Sequence, residues 1–247
     1  MLNVLVPLGG SSPFFPVEEY LYPKPLIEIN GRPMIQHVVE NLGQLSDDVR
    51  FTFVINKDDC ETFHLDKVLK LLCGDSTQVV VLDGPTMGSV CSCLMAIEVI
   101  RADEPLVIVN ADQIIDQELK TVVERFQEQK ADAGVIVFEA IHPRWSFARI
   151  EGGRVIETGE KKPISKHAIA GFYYFQQAGT FFEAAMLSIK RNSLVDGKFF
   201  VAPVFNELVL LNKVCGFVSI RSDQYHTLYT PQKVTEYEAY LSSLGAR

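Results

Sequence analysis

The chain is predicted to fold as an α/β protein: a mixed, mostly parallel sheet with helices on both faces and a small β-rich insertion in the second half. Three observations predict this. Over the first half, short apolar, β-branched runs alternate with amphipathic stretches, the βαβα order that calls for parallel strands and covering helices. In the second half, Glu151-Gly152-Gly153 separates two short strand patterns, a hairpin signal that places antiparallel structure there. Apolar residues make up 47% of the chain and charged residues 22%, which fits a globular protein and not a disordered one. No repeat, low-complexity tract or linker interrupts the pattern, so residues 1–247 read as one domain.

The elements follow in order. Leu2 to Val6 reads as a buried strand. Pro33 opens a helix whose stripe is Met34, Ile35, Val38, Val39 and Leu42, closed by Gly43. Phe51 to Ile55 is a second strand and Leu65 to Leu72 a helix. Gln78 to Leu82 is a third strand, followed by a helix over about Ser89 to Ile100. Leu106 to Asn110 is a fourth strand, and Asp116 is a candidate cap for a helix running to about Gln129. Gly134 to Glu139 is a fifth strand. The hairpin arms are Ala148 to Ile150 and Arg154 to Glu157. Ala168 to Phe175 is a strand, Thr180 to Lys190 and Val201 to Leu211 are helices, Val214 to Ile220 is a late strand, and a helix follows Pro231.

Charge and cysteine usage exclude several functions. The 23 basic and 31 acidic side chains give a formal charge of −8, which argues against nonspecific nucleic-acid binding. No run approaches the roughly 18 apolar residues of a membrane span. Residues 1–10 lack a basic leader and are broken by Pro7, so no secretory signal is expected. The five cysteines lack zinc-ligand spacing, and Cys91 and Cys93 are expected to be small core residues. A reducing, cytoplasmic setting is the resulting expectation.

In an open α/β sheet, ligands sit beyond the carboxyl ends of the strands, so the residues that follow each strand carry the chemistry. After the first come Leu8-Gly9-Gly10-Ser11-Ser12; two glycines and two serines can line up backbone N–H groups as an anion nest, or make an ordinary turn. Pro23-Lys24-Pro25 clamps one lysine between two prolines, aiming a cation that could meet a phosphate or simply be solvated. Asp112 follows the fourth strand, where a carboxylate can hold Mg²⁺ together with phosphate oxygens, or cap a turn. Asp83-Gly84-Pro85-Thr86-Met87-Gly88 is a tight turn into a helix, suited to framing a base or receiving a phosphate. Glu160 and Lys161 place both charges in one loop, either for a polyol phosphate or for water.

In order along nearly the whole chain, these pieces resemble the sugar-nucleotide pyrophosphorylase family, the nucleotidyltransferases that make nucleoside-diphosphate sugars. The resemblance is carried by the Gly-Gly turn and Tyr22-Pro23-Lys24-Pro25-Leu26-Ile27-Glu28-Ile29-Asn30-Gly31-Arg32-Pro33-Met34-Ile35. It continues through Gly84-Pro85-Thr86-Met87-Gly88, Asn110-Ala111-Asp112-Gln113, Glu160-Lys161-Lys162-Pro163-Ile164-Ser165 and Gly171-Phe172-Tyr173-Tyr174-Phe175. Phe199-Phe200-Val201-Ala202-Pro203-Val204-Phe205-Asn206 and Thr230-Pro231 complete it.

The resemblance implies a Rossmann-like (GT-A-like) sheet, a nucleoside triphosphate, a sugar 1-phosphate or similar phosphorylated acceptor, and Mg²⁺, in polysaccharide precursor synthesis. Leu8, Gly9, Gly10 and Ser11 would line the nucleotide, with Asp83 and Gly88 near its base. Lys24 and Asp112 would be catalytic, Asp112 as the metal ligand. Glu160, Lys161 and Gly171 would meet the acceptor. No nucleic acid or membrane partner is implied, and a homo-oligomer is left open. The chain also departs from the family pattern. The nest Gly-x-Gly-x-Arg has Ser12 at its second glycine and Phe14 at its arginine. Asp83 stands where many relatives carry glutamine, and an anion there would favour the amino-bearing edges of guanine or cytosine. A second metal-binding aspartate of some relatives falls near Thr227, the nearest acid being Asp223, and Tyr229 replaces a glycine. A non-catalytic nucleotide- or sugar-phosphate-binding module of the same fold, or a glycosyltransferase-like relative, therefore stands as an alternative to the transferase.

Overall fold

The computed structural model describes residues 1–10, 12–17 and 19–245. The chain begins with strand β1 (Leu2–Pro7), then a tiny hairpin of β2 (Glu28–Ile29) and β3 (Arg32–Pro33), helix α1 (Met34–Leu42), β4 (Val49–Asn56), α2 (Lys57–Phe63), α3 (Leu65–Cys73) and β5 (Gln78–Leu82). Next come α4 (Ser89–Leu94), β6 (Leu106–Val109), β7 (Gln113–Ile115), α5 (Leu119–Glu128) and β8 (Ala133–Glu139). The second half contains β9 (Ser146–Glu151), β10 (Arg154–Glu160), β11 (His167–Phe175), α6 (Ala178–Lys190), α7 (Val201–Leu210), β12 (Cys215–Ser219), β13 (Tyr225–Thr227) and α8 (Pro231–Gly245).

Nine strands form the main sheet, in the order β10-β9-β11-β6-β1-β4-β5, with β8 on the other edge of β11 and β12 on β8. The pairs β1–β4, β1–β6, β4–β5 and β12–β8 are parallel. Because β11 is antiparallel to β6, β8 and β9, and β10 to β9, only β10 and β11 run against the remaining strands. The expected mostly parallel sheet and hairpin insertion are both present. Gly152 and Gly153, at φ 55° and 75°, make the two-residue turn between β9 and β10.

Alternation along the central strands divides the core into two layers. Leu2, Val4 and Val6 of β1 and Val107 and Val109 of β6 face a cluster that takes in α1, α3, α5 and α8. Leu5, Leu106 and Ile108 face the opposite cluster, filled by α4, α6 and α7. Strands buried on both faces read as continuous apolar runs, which made LNVLV and LVIV legible. Cys93 is buried in the second cluster and Cys91 is half-buried beside it; all five cysteines are free thiols.

Three local expectations change. The helix after Gly88 ends at Leu94, because the N–H groups of Met95, Ala96 and Ile97 bond three residues back and tighten the chain into turns. Asp116 does not cap α5, whose cap position is Glu118. Its N–H donates to the Gln224 carbonyl and its carboxylate accepts the Tyr240 hydroxyl. The short β7–β13 pair was not anticipated, yet it carries residues 225–229 to the carboxyl edge of the sheet.

Candidate functional site

The parallel strands β1, β4, β5 and β6 release their following loops at one edge. Register places Pro7 beside Val54 and Asn56 beside Leu82, so the Gly9 turn lies against Asn56 and Leu82. Leu8 is tied down by its N–H to the Val54 carbonyl at 2.7 Å. Gly10 is exposed, with nothing within 4 Å of where a Cβ would stand. Ser11 lies outside the described residues. Asp83 follows β5, is 86% exposed and pairs with Lys57 at 2.8 Å; hydrogen bonding and charge from Lys57 hold its carboxyl below the ordinary range. Gly88 packs against the Phe199 backbone, and Phe199 also accepts the Val90 N–H with its carbonyl. The backbone at Gly88 is thus packed against residue 199, while Ser89, the first residue of α4, lines the cavity described below.

Lys24 and Asp112, 88 residues apart in sequence, meet in an ion pair. Lys24 opens a single 3₁₀ turn, Lys24–Leu26, held by Pro23 at φ −62° and by buried Pro25. Its Nζ also lies 5.8 Å from the Phe15 ring centre. Asp112 sits in the bend between β6 and β7, and its carbonyl accepts the Leu228 N–H at 2.7 Å. The two side chains are 17% and 25% exposed, so the pair is shielded but open to a ligand.

Beside this pair opens a cavity of about 630 Å³. Asp112, Asn110, Gly171 and Glu160 line it, along with Ser89, Phe14 and an aromatic wall of Trp145, Tyr225 and Tyr229. Register accounts for the convergence. Phe172 stands opposite Val109, which puts Gly171 beside Asn110, and Glu160 faces Ser146 across the hairpin. Gly171 occupies a bulge in β11, at φ 55°, where a Cβ would overlap the side chains of Asn110 and Gln113. The Gly171 carbonyl accepts the Asn110 N–H at 3.1 Å and the Gln113 amide at 3.0 Å, while Gln113 Oε1 accepts the Tyr225 hydroxyl at 2.9 Å. Gly171→Ala is therefore expected to destabilise the fold by about 1–3 kcal/mol, through left-handed strain and displaced side chains. A denaturation midpoint equal to the parent's would show that the bulge is not needed.

Glu160 accepts a hydrogen bond from the Ser146 hydroxyl inside the cavity. Burial pushes its carboxyl above the ordinary value of 4.5, opposed in part by that bond and by Lys161. A carboxyl that binds its proton more tightly in the folded state stabilises the fold most below its unfolded value. That contribution is lost as pH rises from about 4.5 through the native value. Glu160→Gln is accordingly expected to raise the melting temperature at pH 7 and to change it little at pH 4. An equal shift at both values would contradict this.

The structure does not bring every predicted residue to the cavity. Lys161, in left-handed backbone at φ 51°, turns its ammonium to Asp196 at 2.8 Å and over the Phe200 ring. Arg32 pairs with Glu40, and Asp223 with Arg221. A second depression, of about 650 Å³, holds Asp116, Asp223, His226 and Lys233, but its acids are satisfied by Tyr240 and Arg221, Lys233 pairs with Glu236, and none of the strand-end residues enters it. Sequence reading missed His142, Arg144, Trp145, Ser146, Tyr225 and Tyr229 as cavity residues. Tyr229 stands out in sequence only as the replacement of a glycine before Thr230-Pro231, and Trp145 only as the single tryptophan; no local motif marks the other four.

The fold is similar to that of a nucleoside-diphosphate-sugar pyrophosphorylase from Vibrio cholerae RC9, with a TM-score of 0.85 and 21% identity over 96% of this chain and 99% of that one. It is also similar to a putative glucose-1-phosphate thymidylyltransferase from Bacillus anthracis, at TM-score 0.75 and 19% identity over 97% and 95%. A UDP-glucose pyrophosphorylase complexed with UDP-glucose matches at TM-score 0.74 and 16% identity over 98% and 99%. At these identities the likeness establishes the fold. The sequence itself matches the family model described as nucleotidyl transferase over residues 9–198, most of the chain, and with the ordered strand-end residues this establishes that the chain belongs to the nucleotidyl transferase family.

Proposed function

We propose that the protein transfers a nucleotidyl group from a nucleoside triphosphate to a sugar 1-phosphate or similar phosphorylated acceptor, releasing pyrophosphate, in the synthesis of polysaccharide precursors. The observation that carries this reading is the Lys24–Asp112 pair, a cation and a carboxylate held together at the carboxyl edge of the sheet, with Asp112 on the wall of a cavity large enough for a sugar. The Gly9–Gly10 turn and Asp83, beyond β1 and β5, would take the nucleotide. The cavity beyond β6 and β11 would take the acceptor.

In this reading an acceptor phosphate oxygen attacks the α-phosphorus in line. A new P–O bond forms as the bond to the β-phosphate oxygen breaks, and pyrophosphate departs with that electron pair. No protein nucleophile is required, since such transfer depends on positioning and charge neutralisation. Lys24 would move from Asp112 to the phosphate oxygens. Glu160 would accept hydrogen bonds from acceptor hydroxyls, with Gly171 on the acceptor wall, where its missing Cβ makes room for Asn110 and Gln113.

The donor set at Asp112 fits Mg²⁺. It offers one hard carboxylate, and among the described residues no group of three or more His, Cys, Asp or Glu gathers as a protein cage would. Mg²⁺ is commonly held through one or two carboxylates and completes its shell with phosphate oxygens and water. When bound, the ion would offset charge on the reacting and departing phosphates.

A binding module without transfer is the second reading, favoured by Phe14, whose exposed ring replaces the arginine of the related nest. One assay separates the two. The protein is incubated with each of the four ribonucleoside triphosphates or dTTP, Mg²⁺ and a panel of sugar phosphates, and pyrophosphate is measured. Acceptor-dependent release is expected; nucleotide binding without release from any combination would favour the module.

A further inference from the structure

Several basic side chains of the strand-end loops and sequence motifs are committed to acids. Lys24 pairs with Asp112, Lys57 with Asp83, Arg32 with Glu40 and Lys161 with Asp196. Arg144 differs. It stands in the connection between β8 and β9, lines the cavity, and among the described residues is bridged to no acid. Its guanidinium lies 4.4 Å from the Trp145 ring centre and 5.2 Å from that of Tyr229, whose hydroxyl accepts one of its N–H groups. The same Tyr229 ring meets Phe14 edge-on at 5.7 Å. Phe14 and Arg144 therefore converge on one aromatic ring from two distant parts of the chain.

A guanidinium held against two aromatic rings is oriented by them and retains N–H donors beyond the one given to Tyr229. Beside the Lys24–Asp112 pair, and among the described residues that line the cavity, it is the arginine or lysine bridged to no acid. We propose that Arg144 binds phosphoryl oxygens of the substrates in the cleft, taking the place of the charge that the Phe14 side chain lacks. This rests on the transfer reading for the identity of the substrates. The phosphoryl oxygens belong either to the triphosphate tail or to the phosphorylated acceptor, and the test has an arm for each.

Calorimetric titration of the full chain with the five nucleoside triphosphates and Mg²⁺, and with inorganic pyrophosphate, forms the first arm. The KM of the phosphorylated acceptor forms the second. Arg144→Met is expected to weaken binding in one arm by about 10- to 100-fold, the range for one hydrogen bond to a charged group, at an unchanged melting temperature. Arg144→Lys, which keeps the charge and loses the planar fork, should fall between Met and the parent. Phe14→Arg alone should lower turnover, because it sets a second cation beside the first. In the Arg144→Met background the same change should recover most of the lost binding. Unchanged binding of Arg144→Met in both arms would overturn the proposal, as would Lys no better than Met together with no recovery in the double variant.

Failure of the transfer reading looks different. A parent that binds pyrophosphate through Arg144 but transfers nothing would refute transfer and leave Arg144 as a phosphate ligand. A parent that transfers equally well with and without Arg144 would do the reverse. A parent that binds no phosphate compound would refute both.

Discussion

Lys24→Ala is expected to lower turnover by about 10²–10³-fold, comparable to losing one preorganised donor at a charge-developing site. The lysine is placed by backbone restraint: prolines on either side fix a single 3₁₀ turn, and the stem runs past Phe15 to Asp112. Removing it frees Asp112, which remains 25% exposed and can recruit water, so the cost to folding should be under about 1 kcal/mol. A kcat loss with an unchanged melting temperature would bear this out. Equal turnover of variant and parent would remove Lys24 from the mechanism.

Asp112→Asn is expected to have the larger effect, about 10³-fold or more in turnover, because a metal-borne charge offset is worth several kcal/mol. The amide keeps the shape of the side chain and one oxygen but loses the charge. The fold should hold, since the bend is fixed by the main chain, through Asp112 carbonyl to Leu228 N–H. The direct measurement is calorimetry of nucleotide binding with and without Mg²⁺. The parent should bind the triphosphate more tightly with the ion, and the variant should show no such gain. An Mg²⁺-dependent gain equal to the parent's would place the ion elsewhere.

Much of the fold was legible because the sheet is buried on both faces. LNVLV, FTFVI and LVIV announce strands without reference to anything distant, and the spacing of Met34, Ile35, Val38, Val39 and Leu42 announces a helix. Elements without a local signature were missed: α2 buries none of its residues, and β7 and β13 are three residues each, too short to show a period and paired across more than a hundred positions. The site divides in the same way. Lys24, Asp112 and the Gly9 turn sit in local motifs of proline, glycine and strand-end acid, whose physical meaning is carried by neighbours in sequence. Arg144, Tyr225 and Tyr229 enter the cavity only because β9 and β13 pair where they do. Lys161 shows the converse: its motif is intact, but left-handed backbone turns the side chain to Asp196.

Passage of the α-phosphorus of a nucleoside triphosphate to a phosphorylated acceptor can be followed with two labels in one incubation with Mg²⁺ and the acceptor panel. Label in the α-phosphate should appear in a phosphatase-resistant product that contains the acceptor, and label in the γ-phosphate should leave as pyrophosphate, with both signals lost in Asp112→Asn. A γ-label released as inorganic phosphate, or an α-label that never leaves the nucleotide pool with any base and any acceptor, would contradict the account.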